Sequence, residues 1–453
     1  MPQRESAQWS SNWAFILAAT GAAVGLGNIW RFPYMAGVHG GSAFVGLYLI
    51  FVLLMGIPIM ISEFIIGRHG RENPIDTLRQ LALNNQHSRH WGLLGAWGGL
   101  ALLMILSFYS VVSGWSIAYI FKSLLGTFDH ANAKQVNQIW QSFLASPGQL
   151  IAWHSLFMML TMLVITAGVS KGLERATKLM MPALYLILFA LVLYASHVGH
   201  FAQAARFLFH FDPSKITPSV TIAAMGHAFF TLAIGAGALL TYGAYIPQRT
   251  PLIPSVFFIV ALDVLVAVLS GLAIFPIVFT YHLPVSQGPG LMFVSLPISF
   301  NHLPMGNWVG ALFFVLLLFA AWTSSINLAE PLVVILTEKY QLSRKQAAWV
   351  VGAAAWLLGL GSALSFNVLQ SVTFFQQYHF FDLATNIPTD FLLPIGGIGF
   401  AIVAGYIMKK TNSEAQIYTH RAIYKLWRFL VRTVAPLLVL CILLSPLITL
   451  THK

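Results

Sequence analysis

The sequence predicts an all-α polytopic membrane protein of eleven helices, the first and sixth of them interrupted. Of the 453 residues, 58% are hydrophobic and only 8% charged, with a mean hydropathy of +0.77, too little polar residue to cover a soluble globule of that size. Apolar stretches recur at the length, about 20 residues, that a hydrocarbon core of about 30 Å demands. Within the first stretch, residues 21–34 read Gly-Ala-Ala-Val-Gly-Leu-Gly-Asn-Ile-Trp-Arg-Phe-Pro-Tyr. Each glycine there costs about 1 kcal/mol in a helix relative to alanine, so this helix is expected to open. Open backbone at membrane depth is tolerated only where it lines a protein-enclosed cavity.

The spans are expected to begin near Trp13, Ala43, Leu93, Leu150, Gly172, Val220, Ile253, Trp308, Ala347, Ser371 and Trp427. The links holding Arg68 to Arg89, Lys171 to Lys178, Lys339 to Lys345 and Lys409 to Arg432 then fall on one face with the N-terminus. By the positive-inside rule that face is cytoplasmic, and an odd number of spans puts Lys453 outside. The net charge of +11 thus reports topology, and no nucleic-acid partner is needed to explain it. The connection from His282 to Asn307, uncharged and rich in Pro and Gly, is expected to form an external cap. Gly235 and Gly237 interrupt span six as Gly21 to Gly27 interrupt span one, and paired interruptions of this kind mark an inverted repeat. The repeats would cover 13–198 and 219–409, with helix eleven at 423–450, all in a single transporter domain over 1–453.

Ionisable residues within spans cost at least about 2.5 kcal/mol each on insertion scales, so each is a functional candidate. Six stand out: Arg31, Glu63, Asp263, Glu330, Asp382 and Asp390. Arg31 and Asp382 lie at the outer ends of spans one and ten and are expected to pair as a latch across an external vestibule. Asp263 sits mid-span with no basic neighbour on its own helix, so its counter-charge is expected from elsewhere. Hard cations such as Na⁺ are held by oxygens, and Asn28, Thr231, Thr323, Ser324 and Ser325 supply them beside the opened backbone.

Other function classes fit less well. Gly168-Val-Ser170-Lys-Gly172 spells GxSxG, yet it lies between membrane helices and not at a strand-to-helix elbow. The fifteen histidines form no HExxH, no GxxxxGK[ST] run occurs, and the single Cys441 excludes an intramolecular disulfide. An intramembrane enzyme is therefore the weakest reading. A channel would call for repeated rings of ligands, whereas these oxygens gather into one set.

The 21–34 motif, Gly56-Ile-Pro-Ile-Met-x-x-Glu63-Phe, Phe229-Phe-Thr-Leu and Thr323-Ser-Ser together resemble the neurotransmitter:sodium symporter family, from about Trp9 to Leu450. Gly172 and Pro182, with nine residues between them in span five, are similar to a feature of its bacterial hydrophobic amino-acid transporters that lets this helix unwind on the cytoplasmic side. The resemblance implies the LeuT fold with a 5+5 inverted repeat, and Na⁺-driven uptake of neutral, large hydrophobic or aromatic amino acids. The setting would be a bacterial cytoplasmic (inner) membrane, without an obligatory protein partner. Proton coupling through Asp263 is the alternative.

By the same resemblance, a first sodium would meet the Ala23 carbonyl, Asn28, Thr231 and Asp263. A second would meet the carbonyls of Gly21, Val24 and Ala320 and the hydroxyls of Thr323 and Ser324. The substrate carboxylate would meet the Leu26 and Gly27 amides and the Tyr109 hydroxyl, and its ammonium the carbonyls of Ala23, Phe230 and Ala233. Its side chain would lie among Ile105, Val112, Phe230, Ala236, Ser325 and Leu328. Because Asp263 supplies the charge that chloride brings to some relatives, chloride is not expected. Arg4, Tyr245 and Glu338 would form the cytoplasmic gate, although Arg4 stands five residues before Trp9 where relatives place Arg three before. His227 stands where many relatives carry Gln.

Overall fold

The computed structural model describes residues 8–281, 290–375, 377–417 and 419–451. Among them there is no β-strand, only an isolated bridge between Phe374 and Tyr378. Among the described residues nine helices are long and apolar enough to cross a membrane, and Asn12–Ala23 with Gly27–Val38 makes a tenth, bent by 53° at its break. Pro218–Thr231 and Ala238–Ala244, separated by six non-helical residues, occupy the position expected for span six. With this interrupted pair counted as one, the helices match the eleven expected segments.

The central helices are span three (Arg89–Leu124) and span eight (Gly306–Lys339), which pack against each other and are the most deeply buried. Span three is 36 residues long, about 54 Å at 1.5 Å per residue, so it exceeds a bilayer core of about 30 Å. Spans four (Pro147–Thr166) and nine (Arg344–Leu364) lean on span three, while span seven (Leu252–Thr280) packs against spans one and five (Val169–Val198). The inner half of span six lies on span two (Ser42–Gly70). Span eleven (Arg421–Ser445) is peripheral, with Leu437, Leu440 and Leu444 exposed where lipid would lie.

One expectation is corrected. Span ten begins at Phe380, not near Ser371, because residues 371–379 turn back on themselves, with the Phe374 amide donating to the Tyr378 carbonyl at 2.7 Å. Span five is not unwound in this conformation: Val169–Glu174 forms one wide π-turn that runs straight into Arg175–Val198, with Pro182 inside the helix. Of the external connection, residues 282–289 lie outside those described, and the remainder includes a short helix, Leu291–Asn301, whose Phe293 stacks on Trp140 at 5.1 Å.

Candidate functional site

Span one stops at Ala23 because Val24 turns to extended backbone (ψ 111°) and Gly25 can approach its neighbours as no other residue could. A Cβ on Gly25 would sit 2.5 Å from the Tyr109 hydroxyl and 2.6 Å from Ser324 Oγ. Span six opens through Ala233 (φ 52°), Gly235 (φ 93°) and Gly237 (φ 74°), left-handed conformations that favour glycine. Glu63 of span two fastens this opening, its Oε1 accepting the Gly235 amide at 2.6 Å while its Oε2 has no partner among the described residues.

The two breaks face one cavity. Of the residues expected at the substrate, Ala23, Gly27, Ile105, Tyr109, Phe230, Thr231, Ala233, Ala236 and Leu328 line it. The Leu26 amide donates to the Tyr109 hydroxyl at 2.7 Å. Ser325 and Val112 are buried but do not line the cavity; Ser325 bonds back to the Ala321 carbonyl at 2.8 Å. Gly25, Leu102, Ser324, Asn327 and Leu393 line it as well. Ser324, Asn327 and Leu328 were findable from sequence, because spacings of three and four residues share a helix face.

Beside the cavity, the side chains of Asn28, Thr231 and Asp263 meet in full burial. Asn28 Nδ2 donates to Asp263 Oδ1 at 2.8 Å and to its carbonyl at 3.1 Å. The Thr231 hydroxyl lies 3.2 Å from Asp263 Oδ2, and the Tyr48 hydroxyl 3.4 Å from the same oxygen. Asn28 Oδ1 accepts the Gly25 amide at 3.1 Å, so the break in span one is tied directly to Asp263. Tyr48 was not singled out from sequence. It packs with Phe32 and Phe44 around His227, whose two ring nitrogens are buried without a partner among the described residues.

The second expected ion position is also gathered. Ser324 Oγ donates to the carbonyls of Val24 at 3.0 Å and Gly21 at 3.4 Å. Thr323 Oγ1 turns to its own helix, donating to Ala320 at 3.1 Å, while its Cβ lies where a Gly21 side chain would intrude, at 3.2 Å. Two hydroxyls and three carbonyls therefore stand within one narrow seam between spans one and eight, a donor set of the kind a hard cation takes.

The gate residues are arranged differently from expectation. Arg31 does not reach Asp382: its guanidinium lies 4.8 Å from the centre of the Phe230 ring, and the carboxylate whose charge acts on it is Asp390. Asp382 instead caps the start of span ten, accepting the His379 amide at 2.9 Å. At the cytoplasmic end, Arg4 lies outside the described residues. Tyr245 donates to Glu330, not Glu338, at 2.9 Å, and Glu330 is held by Arg344 through both guanidinium nitrogens. Glu338 accepts from the Asn73 amide at 2.7 Å. In the adjoining loop, burial together with the charges of Asp76 and Glu338 holds the Glu72 carboxyl above its usual range. Trp9, almost fully buried, plugs this end, its indole N–H donating to the Tyr242 carbonyl at 3.1 Å.

The model of the sodium:neurotransmitter symporter family matches residues 6–143 and 130–453 of the chain. An uncharacterized sodium-dependent transporter of Bacillus subtilis, YhdH, is 35% identical over 449 residues, 98% of each protein. Another from Haemophilus influenzae is 33% identical over 450 residues, 97% of this chain and 98% of that one. The crystal structure of MhsT in complex with L-phenylalanine superposes with a TM-score of 0.89 at 40% identity, over 97% of this chain and 99% of MhsT. The fold is thus the LeuT fold, and the nearly full-length relatives are transporters, not enzymes. Identity at this level along almost the entire chain reflects common descent, and the protein belongs to the sodium:neurotransmitter symporter family.

Proposed function

We propose that this integral membrane protein carries a neutral, large hydrophobic or aromatic amino acid inward together with Na⁺, by alternating access across a bacterial cytoplasmic membrane with the N-terminus inside. The observation that carries the reading is the composition of the cavity. Its lining includes opened backbone at Gly25 and Gly27, the Tyr109 hydroxyl and Thr231, which suit an α-amino acid head. The same lining includes Leu102, Ile105, Ala236, Leu328 and Leu393 and no charged side chain, so an unpaired charge there would cost several kcal/mol.

Two ion positions are proposed, one at Asn28, Thr231 and Asp263 with the Ala23 carbonyl, the other at Gly21, Val24, Ala320, Thr323 and Ser324. Asp263 supplies the anionic charge of the first, so chloride is not required. The two broken spans head the inverted repeats 13–198 and 219–409 and rock against the remaining helices as the site is exposed to one side, then the other. MhsT, a similar protein, was crystallised with L-phenylalanine, in keeping with this substrate class.

Uptake of a labelled amino-acid mixture into proteoliposomes, with and without an inward Na⁺ gradient, tests the reading. Gradient-dependent accumulation is expected. Equal uptake in both would overturn Na⁺ coupling in favour of proton coupling at Asp263. Preference for Gly, Glu or Lys in competition binding would overturn the assignment of the pocket. Ala236, between two glycines, leaves room that a larger side chain would fill, so Ala236→Phe is expected to exclude Trp while sparing smaller aliphatic substrates.

A further inference from the structure

We infer that Asn327 reads a hydrogen-bond donor on the substrate's side chain, so that aromatic amino acids bearing a ring O–H or N–H bind more tightly than one with a plain phenyl ring. This rests on the amino-acid reading above and narrows it.

Asn327 lines the cavity and is 2% exposed. Its Nδ2 donates to the Thr323 carbonyl at 2.9 Å. A carbonyl can only accept, so this bond fixes the orientation of the amide, and Oδ1 must point away from Thr323. That oxygen is buried with no partner among the described residues. An unmet acceptor in such a place is disfavoured, so a donor arriving with the substrate would relieve it. Asn327 lies one turn inward of Ser324 along span eight, about 4.5 Å of helix rise, and so away from the amino-acid head at Gly25 and Tyr109. Leu102, Leu328, Leu393, Ala236 and Ala238, which line the same cavity, have only carbon in their side chains. Oδ1 has almost no accessible surface of its own, so a phenolic O–H or indole N–H would reach it by displacing the side chains that cover it, and the small Ala236 leaves space for the larger ring.

A site that presents a polar group discriminates more sharply than an apolar one, because the analogue lacking the donor leaves that group unpaired. Tyr and Phe differ by a single O–H, so they are the probes. With the purified full chain in nanodiscs at saturating Na⁺, competition against labelled Leu is expected to give Tyr about tenfold tighter binding than Phe, about one net hydrogen bond. Asn327→Leu, similar in volume but without the acceptor, is expected to bring the ratio of Tyr to Phe affinity to about one. Parity of Tyr and Phe in the unmodified protein overturns the inference without need of any variant. An unchanged Tyr preference in Asn327→Leu also overturns it. If Phe competes and Tyr does not outdo it, only this inference fails; if no amino acid competes, the proposed function fails and takes the inference with it.

Discussion

At the residue scale, the centre of the molecule is an acid without a basic partner among the described residues. Asp263 is met by Asn28, Thr231 and Tyr48, all neutral donors, so its charge is hydrogen-bonded but not balanced by the protein, and a cation at this point would complete it. Asp263→Asn keeps the size and removes the charge. Since hydrogen bonds to charged groups are worth about 1.5–3 kcal/mol, Na⁺ affinity is expected to fall about ten- to hundredfold, and chloride is expected to restore part of it. Na⁺-dependent substrate binding in chloride and in gluconate measures this; a stable variant with unchanged Na⁺ dependence would remove Asp263 from the ion site. The outer latch shows what residue-level reading could not see. Asp382 and Arg31 both sit at outer helix ends in the sequence, but span ten starts later than its hydrophobicity suggests. His379 is an unusual helix cap, since the sequence signature of a capping box is Ser or Thr, so Asp382 was not legible as its partner. Asp390 is the acid that acts on Arg31. Double-mutant cycles separate the two: Arg31→Ala with Asp390→Asn is expected to lose transport less than additively, and Arg31→Ala with Asp382→Asn additively. The reverse pattern would reinstate Asp382.

At the scale of elements, both breaks were legible because glycines gathered inside an apolar run weaken the helix at one place, yet glycines that look alike in sequence do different work. Gly21 and Gly27 lie within helical turns of span one, and only Gly25 stands at the opening. In span six, Gly235 has φ 93°, and a Cβ there would run into the Leu393 carbonyl, whereas Gly226, in the regular helix, has nothing within 4 Å of that position. Gly235→Ala is therefore expected to destabilise the protein by at least about 1–2 kcal/mol, and Gly226→Ala to stabilise it by about 1 kcal/mol. Thermal unfolding of the two variants in one detergent checks both signs. Equal shifts would mean that the break in span six is not held by backbone conformation. The π-turns escaped sequence reading for a physical reason: one extra residue in a helical turn leaves hydrophobicity and length almost unchanged.

At the scale of the whole molecule, the ends differ. Arg31 and Phe230 on the outer side are only half-buried, while Trp9, Tyr242, Tyr245 and Glu330 close the cytoplasmic side in full burial. The inner closure joins four parts of the chain: Trp9 ahead of span one, Tyr242 and Tyr245 at the inner end of span six, Glu330 in span eight and Arg344 at the start of span nine. Arg344 also donates to the Ile165 carbonyl at 2.9 Å, which adds span four. Beside it Ser10 donates to Glu174, itself 2.6 Å from Lys178, so span five is clasped to the N-terminal segment. Opening inward must separate some of these contacts, and the Glu330–Arg344 pair is the one that cannot be broken cheaply. Glu330 has no exposed surface, and stripping a buried charge of its partner costs about 3–5 kcal/mol. Arg344→Ala is therefore expected to favour conformations that let water reach Glu330, opening the cytoplasmic side and weakening Na⁺ and substrate binding together. Adding Glu330→Gln removes the stranded charge while keeping an acceptor for Tyr245, so the double variant is expected to bind Na⁺ better than Arg344→Ala alone. Equilibrium Na⁺ binding to the parent, both single variants and the double variant decides it. Failure of Glu330→Gln to recover any affinity would show that Arg344 acts through its bond to Ile165 and not through the buried pair.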